Sequence, residues 1–481
     1  MQYEAVIGME IHAELKTESK LFCACSAAFG AEPNAHTCPV CLGMPGTLPV
    51  MNRAAFDHAV KAAVALNCRV ARRLHFDRKN YYYPDLPKNY QISQLYENIG
   101  TDGWLEIPLG GEYKRVGIWN VHLEEDAGKL LHSDSPGEDY SLVDLNRAGV
   151  PLLEIVSAPD MRTCEEAEAY MKTVRNLLLC LGVSDCKIEE GSLRFEAGVS
   201  VRPKGEGAFG PRAEIKNLGS ITAVLRAVEY EIARQTKTLE AGGQNEQETR
   251  LWNDALRRTE RMRGKEHAHD YRYFPEPDLA PFSIAEERLE AMQAEIPELP
   301  VPRRQRFERE MGLSGYDAGV LTEDRALADY FEATAAECGS PKAAANWVAN
   351  TVMGHLNEQR AAVADFPLPP AALAELVRIV ENGTISVAVG REVFAEMLQS
   401  GASASQIVES KGLAQISDES ALEEIVRRVV DQASEKILQD WKDGKQKALN
   451  ALIGPVMRET KGKANPRVVK ELLERTLREV S

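Results

Sequence analysis

The sequence predicts an α+β protein built in three parts. An antiparallel sheet with helices against it occupies residues 1–292, an all-α helical domain follows over 293–405, and a small α-helical tail domain closes the chain over 406–481. Three observations lead there. Apolar and polar residues alternate with period two in several runs before residue 280. The Pro-rich segment Pro275–Pro281 (PEPDLAP) then ends that pattern, and helical spacing takes over. Finally, the small residues of Gly401–Ser405 form a joint ahead of a strongly amphipathic stretch.

The strands come first. In Gly8–Leu15 the apolar Met9, Ile11, Ala13 and Leu15 alternate with Glu10, His12 and Glu14. In Ser192–Arg202 the residues Leu193, Phe195, Ala197, Val199 and Val201 alternate with Arg194, Glu196, Ser200 and Arg202, and Ala213 and Ile215 alternate with Arg212, Glu214 and Lys216. Each pattern is that of a strand with one face in a core. Helices are predicted over Arg53–Leu66, Cys164–Leu181 and Ile221–Ala241. Beyond residue 281, Leu289–Met292, Ala326–Ala336, Ala343–Leu356 and Ala371–Glu381 lack strand alternation. Ala421–Leu438 carries Leu422, Ile425, Val426, Val429, Val430, Ala433 and Ile437 at helical spacing. Asn465 is placed to cap a last helix with Pro466 at its first position.

The 481 residues are 44% hydrophobic and 27% charged, the make-up of an ordinary globular protein. No run of about 18 apolar residues is present, so no membrane span is expected. The first residues carry acids and no apolar signal core, which makes the cytoplasm the expected location. Nine cysteines in such a chain argue against a disulfide framework. The net charge of −16 is unevenly spread: between Lys442 and Glu479 ten basic residues face five acidic ones. A basic tail on an acidic body suits a polyanion held at the end; it also suits a solvated helical face.

Cys23, Cys25, Cys38 and Cys41 form a C-x-C-x12-C-x2-C knuckle, with Pro39 and Gly43 supplying a turn. Two thiolate pairs on short turns can close a tetrahedral, structural Zn²⁺ site, in which His36 could replace one thiolate; the alternative is four reduced cysteines without metal. A second constellation is acidic. Glu10, His12 and Glu14 share one strand face, and His122, Glu124 and Asp126 share another, with Glu125 pointing oppositely unless a bulge intervenes. Glu154 stands alone among apolar residues in VPLLEIVS, where desolvating a carboxylate is costly without a cation opposite. Glu190 precedes the Ser192 strand, and Glu214 lies between Arg212 and Lys216. Carboxylates with an imidazole suit Mg²⁺, with Glu10, His12, Glu124 and Glu125 as candidate ligands.

Cations and aromatics accompany these acids. Arg78–Ser93 (RKNYYYPDLPKNYQIS) packs Lys79, Tyr82 and Lys88 into a Pro-stiffened loop. Arg194, Arg202, Arg212 and Lys216 form either a salt-bridge ladder or a set of phosphate ligands. His269 and Arg272 sit in a polar-aromatic loop before Pro-Glu-Pro. No phosphate-binding G-x-x-x-x-G-K-[ST] loop, dinucleotide fingerprint or nucleophile elbow occurs, so any nucleotide would be held by a sheet with metal ligands and arginines.

Taken together, several motifs resemble one family. They are IGMEIHAEL (Ile7–Leu15), YYYPDLPKNYQISQ (Tyr81–Gln94), HLEEDAGK (His122–Lys129), DLNRAGVPLLEIVSAPDMRT (Asp144–Thr163), EEGSLR (Glu189–Arg194), EIKNLGS (Glu214–Ser220), AHDYRYFPEPDL (Ala268–Leu279) and TKGKANP (Thr460–Pro466). Their order and wording resemble the GatB/GatE family, whose GatB chains form part of the glutamyl/aspartyl-tRNA amidotransferase GatCAB. The resemblance covers essentially the whole chain. It implies a cradle domain similar to the glutamine synthetase catalytic sheet, a helical domain and a YqeY-like tail that touches tRNA. It also implies ATP-dependent amidation of Glu-tRNA(Gln) or Asp-tRNA(Asn) through an acyl phosphate, with Mg²⁺. Ammonia would come from the glutaminase partner GatA, braced by GatC, along a passage that Lys79, Tyr82 and Lys88 fit. In this reading Glu10, His12, Glu124, Glu125, Glu154, Glu190, Glu214, Arg194, Arg202 and Lys216 handle metal or phosphate, Arg212 contacts the nucleotide, and His269 and Arg272 belong to a substrate loop. The chain departs from the family pattern in RFEAGVS (Arg194–Ser200), RGKEHAHD (Arg263–Asp270) and GREVF (Gly390–Phe394). A docking scaffold for tRNA without its own catalysis is the alternative.

Overall fold

A computed structural model of the chain describes residues 2–132, 140–264, 271–414, 419–442, 446–460 and 464–480. The chain divides into two units, Met1–Arg303 and Arg304–Ser481.

The first unit is organised by a nine-stranded sheet. Its strands in chain order are β1 (Tyr3–Glu14), β2 (Arg69–Val70), β3 (Gly100–Leu109), β4 (Glu112–Glu125), β5 (Pro151–Ser157), β6 (Leu193–Pro203), β7 (Ala213–Leu218), β8 (Glu248–Asn253) and β9 (Arg258–Gly264). Across the sheet they run β9-β8-β7-β6-β1-β5-β4-β3-β2. All neighbours are antiparallel except β7 and β8, which pair in parallel. This departs from the purely antiparallel expectation, and the cause is local. The helix Ile221–Glu240 lies between β7 and β8, and a helical crossover returns the chain to the same end of the sheet.

Three helices cover one face: α1 (Arg53–Ala65), α2 (Cys164–Leu181) and α3 (Ile221–Glu240). Each starts where the sequence offers a cap. Asn52 accepts from the amides of Ala54 and Ala55, Thr163 from that of Glu166, and Ser220 from that of Ala223. Gly182 ends α2 in the left-handed conformation. The alternation of β1 then decides which face is buried. Ile7, Met9, Ile11 and Ala13 join Leu123, Leu153, Ile155, Phe195, Ala197 and Val199 in the core beneath α1, α2 and α3. Each large apolar side chain among them contributes roughly 1.5–3 kcal/mol by leaving water. A one-residue slip of β1 would drive Glu10 and His12 into that core, so the register is strongly specified. The opposite face carries the polar residues.

The second unit is helical and holds two cores. One includes Phe307, Phe331, Trp347, Leu373, Val377, Phe394 and Met397, and it extends through Ala404, Ile407 and Val408. The other is built from Leu422, Val426, Val430, Leu449, Leu452, Leu473 and Leu477. Gly401–Ser405 is therefore a helix-to-helix turn: Gly401 takes a left-handed C-cap, and Ser403 with Gln406 forms a capping box for Ala404–Lys411. Two predicted helices are modified. Ala343–Leu356 contains a π-helical stretch at Trp347–Val352. The single helix expected over Ala421–Leu438 divides into Glu419–Asp431 and Glu435–Lys442. Ser434 stands at the break, and its carbonyl accepts from the amides of Ile437 and Leu438, which starts the second helix afresh. The last helix begins at Pro466, with the Asn465 carbonyl accepting from the Val469 amide. Lys461 and Lys463 lie outside the described residues.

Candidate metal and phosphate site

The sheet register builds the site. On the polar face, Arg194 of β6 stands directly opposite His12 of β1, His12 opposite Glu154 of β5, and Glu154 opposite His122 of β4. Four strands thus contribute one residue each to a single row. Period two then brings Glu10 alongside His12, and Glu124 alongside His122. A single carboxylate oxygen, Glu154 Oε2, lies 3.3 Å from His12 Nε2 and 3.1 Å from His122 Nε2. His12 Nε2 is also 3.4 Å from Glu10 Oε1, and His122 Nε2 is 3.8 Å from Glu124 Oε2. Ser93 Oγ donates to Glu124 at 3.0 Å. Asn120 Oδ1 lies 3.2 Å from His122 Nδ1 and leaves Nε2 turned toward the carboxylates.

The electrostatics follow from burial beside opposite charge. Burial alone would lower the His12 imidazole, but the hydrogen bond and charge of Glu154, with Glu10, push it up to about 9. His122 is opposed by burial in the same way and raised to about 10 by Glu154 and Glu124. Burial would raise Glu154, yet the two imidazoles hold it well below the ordinary carboxylate range; Glu124 is lowered by His122 and Lys79 against the same penalty. Glu10 behaves oppositely: burial and the Glu154 charge push it up to about 7. The two imidazoles thus neutralise a surplus of carboxylate. The donor atoms of Glu10, His12 and Glu154 lie within 4.8 Å of one another, as do those of His122, Glu124 and Glu154. Carboxylate oxygens with one imidazole are a donor set that fits a hard divalent cation such as Mg²⁺, which shares its shell with water and phosphate.

An open trough of about 1140 Å³ lies over the cluster, walled by Lys79, Tyr81, Gln91, Asp126, Arg194 and Lys216. Lys79 is held 5.3 Å from the Tyr271 ring centroid and 5.8 Å from that of Tyr81. Burial would lower the Lys79 ammonium, but Glu124, Tyr273 and Glu154 raise it, so it stays charged. Arg194 is tied to Asp126 at 2.7 Å, with Arg147 and Glu14 nearby. Lys216 bonds both oxygens of Glu196, at 2.9 and 2.8 Å, and lies 3.3 Å from Glu214.

Several sequence-predicted residues lie elsewhere. Glu125 points away from Glu124, as period two requires, and its carboxylate accepts from Lys88 Nζ and the Ile92 amide. Glu154 takes the place expected for Glu125 in the metal group. Lys88 sits with Glu125 in a separate cavity beside the cysteine knuckle. Glu190 pairs with Lys187 at 2.8 Å and lines a pocket with Glu14 and Asp185. Arg202 is eight residues along β6 from Arg194, roughly 26 Å away at strand rise, and it pairs with Glu4 at 2.7 Å. Tyr82 is 80% exposed; its neighbour Tyr81 lines the trough instead. Arg212 and Glu214, 3.4 Å apart, line a groove next to the trough. Arg272 has φ 46°, and its carbonyl accepts from Asn80. His269 lies outside the described residues. Sequence reasoning placed His122 and Asp126 on one strand face with Glu124 but missed His122 as a partner of Glu154, and it missed Arg147, Tyr81 and Gln91.

The four knuckle thiols also converge, with their sulfur atoms within 4.8 Å of one another; His36 is not part of the group. Lys20, fully buried, donates to the carbonyls of His36 (2.7 Å) and Leu145 (3.3 Å) and lies 3.8 Å from Cys41 Sγ. The Cys23 thiol, the Cys38 amide and the Lys20 ammonium together push Cys41 down to about 4, against burial, so it is a thiolate.

Known proteins share this chain's sequence throughout. Residues 5–290 match the family described as the GatB/GatE catalytic domain, and residues 329–477 match the GatB domain that carries the YqeY name. The chain belongs to the GatB/GatE family. Relatives of that family align end to end with it. A protein of Carboxydothermus hydrogenoformans is 53% identical over 473 residues, 98% of each chain. One of Moorella thermoacetica is 53% identical over 477 residues, 99% of this chain and all of the relative. One of Synechococcus is 50% identical over 481 residues, 99% of this chain and 98% of the other. All three bear the name of a subunit of the aspartyl/glutamyl-tRNA(Asn/Gln) amidotransferase. The carboxylate–histidine cluster and the cysteine knuckle both fall inside the GatB/GatE catalytic domain. Among the described residues no helix is long and apolar enough to cross a membrane.

Proposed function

We propose that this chain performs the ATP-dependent amidation of Glu-tRNA(Gln) and/or Asp-tRNA(Asn). The observation that carries the reading is the Glu10–His12–Glu154–His122–Glu124 cluster at the floor of an open trough, in a family whose relatives bear the amidotransferase name. A side-chain carboxylate is a poor electrophile toward ammonia. Transfer of the γ-phosphoryl group of ATP onto it gives an acyl phosphate and ADP. Ammonia then attacks the carbonyl, phosphate leaves, and the amide forms. Glu10, His12, Glu154 and Glu124 would hold Mg²⁺, which neutralises charge on a transferring phosphoryl group. Lys79, kept cationic by its carboxylate neighbours, supports negative charge that develops in the trough. Arg194 and Lys216, each anchored by acids, orient the wall rather than swing freely.

This chain acts with the glutaminase GatA and with GatC, and the basic tail domain holds the tRNA. Ammonia from GatA would pass the Lys88–Glu125 pair on its way to the trough. The cradle is the counterpart of the glutamine synthetase sheet, the cytoplasm is the compartment, and the four-cysteine group holds a structural Zn²⁺ that fixes the Cys23–Cys41 loop. Metal analysis of the purified chain is expected to find about one zinc; none would leave the knuckle a thiol cluster.

The test uses the assembled complex with ATP and misacylated tRNA. His12→Ala and Glu124→Gln are each expected to lower amidation by about 100-fold or more, while glutamine hydrolysis by the partner persists. If amidation survives in both, the chain is a docking scaffold and the chemistry resides elsewhere.

A further inference from the structure

The cysteine knuckle and the Lys88–Glu125 pair border one cavity of about 620 Å³, yet the amidation chemistry gives the knuckle no task. The pair is closed from solvent, with side chains 9% and 5% exposed. Its two members are held differently. The strand Tyr90–Ser93 fixes Glu125: the Ile92 amide donates to its carboxylate at 2.9 Å, and Gln91 Nε2 donates to its carbonyl at 2.7 Å. Lys88 lies in the turn before that strand, and Asn89 after it takes φ 63°. A lysine loses much rotamer freedom when it is held on one partner, so a loop lysine needs a wall to stay there.

The knuckle supplies that wall. Its turn around Cys41 is closed by backbone hydrogen bonds: the amides of Leu42, Gly43 and Met44 donate to the carbonyls of Cys38, Val40 and Pro39 at 3.0, 3.0 and 2.9 Å. The Cys38 amide also donates to Cys41 Sγ at 3.1 Å. At the end of this turn Gly43 has φ 67°, a conformation that glycine takes without steric cost. A Cβ there would lie 2.4 Å from Lys88 Cγ, 3.2 Å from its Cβ and 3.3 Å from its Cα. The contact falls on the root of the lysine, which no rotation of the ammonium end relieves. Carbon atoms pack at about 3.5 Å, so an added methyl group displaces Lys88 by about 1 Å. Gly149, with φ 88°, stands on the Glu125 side: a Cβ there would lie 3.6 Å from Cys41 Cβ and 3.8 Å from Glu125 Oε2. Two left-handed glycines thus let the Cys41 turn lie against both members of the ion pair.

We propose that Gly43, presented by the cysteine knuckle, is a positioning residue that keeps Lys88 on Glu125 and so keeps ammonia on its route to the trough. The assignment rests on the amidation reading, in which ammonia passes this pair. A displaced Lys88 leaves the Glu125 carboxylate buried without its cation, and such a group recruits water or a proton. Ammonia that meets water and a proton there becomes ammonium, which has no lone pair with which to attack an acyl phosphate. The knuckle thereby gains a task in the reaction, because whatever shifts the Cys41 turn shifts Lys88 with it.

The same loop offers the control. Gly46 has φ 83°, and a Cβ there meets nothing within 4 Å, so Gly46→Ala strains the backbone in the same way without touching Lys88. The assembled complex carrying Gly43→Ala or Gly46→Ala is assayed for amidation driven by glutamine and by an ammonium salt, which reaches the open trough from solvent. In Gly43→Ala, glutamine-driven amidation is expected to fall about 10- to 100-fold, as for a misplacement of about 1 Å, while ammonium-driven amidation and glutamine hydrolysis persist. Gly46→Ala keeps all three. Equal losses in the two variants, an equal loss with both ammonia sources, or no loss in Gly43→Ala overturns the proposal. Thermal unfolding of the full chain checks the contact without any activity. Gly43→Ala is expected to lower the midpoint by about 2 °C or more beyond Gly46→Ala, and the excess should vanish when both are placed on Lys88→Ala with Glu125→Ala. An excess that persists there overturns the contact itself, whereas failure of the amidation reading leaves this cycle intact and shows as absent amidation in the unmutated complex.

Discussion

In Glu154→Gln the carboxylate shared by two buried imidazoles becomes a neutral amide of nearly the same shape. The unmutated group lies 3.3 and 3.1 Å from His12 and His122. At an effective dielectric constant of about 20, each contact is worth roughly 5 kcal/mol before desolvation. Burial of all three groups and repulsion between the imidazoles offset much of this, and removing one partner of a buried ion pair costs about 3–5 kcal/mol net. The loss depends on pH in a definite direction. His12 and His122 are raised to about 9 and 10, above the ordinary histidine value, so their pairing stabilises the fold fully below about 6.5 and fades as pH rises through 9 and 10. Metal-free Glu154→Gln is therefore expected to be destabilised by about 3–5 kcal/mol at pH 7 and by only about 2 kcal/mol above pH 10, where the imidazoles are uncharged and only their hydrogen bonds to the still-ionised carboxylate are lost. Guanidinium denaturation read through Trp104, Trp119 and Trp252 of the first unit, in a Trp347→Phe, Trp441→Phe background, measures it. An equal loss at both pH values, or a loss below about 1 kcal/mol at pH 7, would refute the shared-carboxylate account.

Other outcomes follow from the same geometry. Glu10, Glu14 and His12 have folded-state values raised to about 7, 8 and 9, so the metal-free chain is expected to lose stability as pH climbs from about 6 to 9. Mg²⁺ should restore it, most strongly at the alkaline end, because cation binding displaces the protons that these groups hold; thermal scans with and without Mg²⁺ check both trends. At the other buried pair, Lys88→Met alone is expected to cost about 3–5 kcal/mol by stranding Glu125, whereas Lys88→Met with Glu125→Leu should cost less than the single change; a double-mutant cycle decides. Truncation after Leu413 should leave the core around Phe331 and Trp347 intact, because that core ends with Ala404, Ile407 and Val408 and the flanking Leu413. It should raise the KM for aminoacyl-tRNA while ATP affinity holds; an unchanged KM would remove the tail from tRNA binding.

Much of the site was legible because period two is a local property. Glu10 and His12 had to share a face once Met9, Ile11 and Ala13 were buried, and Glu154 was conspicuous as one acid among apolar neighbours. The same rule put Glu125 opposite Glu124. It could not say which of Glu125 and Glu154 would reach His12, because that depends on which strands are adjacent. β1 pairs with β5 and β6 across roughly 140 and 190 residues of chain, and no local signal encodes that pairing. Loops were the least readable part. Tyr81 rather than Tyr82 lines the trough, and Lys88 lines a different cavity from Lys79, because the Pro-stiffened segment has no repeat from which side-chain direction follows.

By itself, then, the amino-acid order determined the element types, most helix limits through their caps, the apolar face of each strand and the convergent cysteine spacing, all of which rest on interactions within a few residues. The tertiary structure alone decided the row Arg194–His12–Glu154–His122, the parallel β7–β8 pair and the break at Ser434. Those depend on strand order and register, which are chosen when distant segments bury one common core, and a carboxylate acquires its two imidazole partners only after that choice is made.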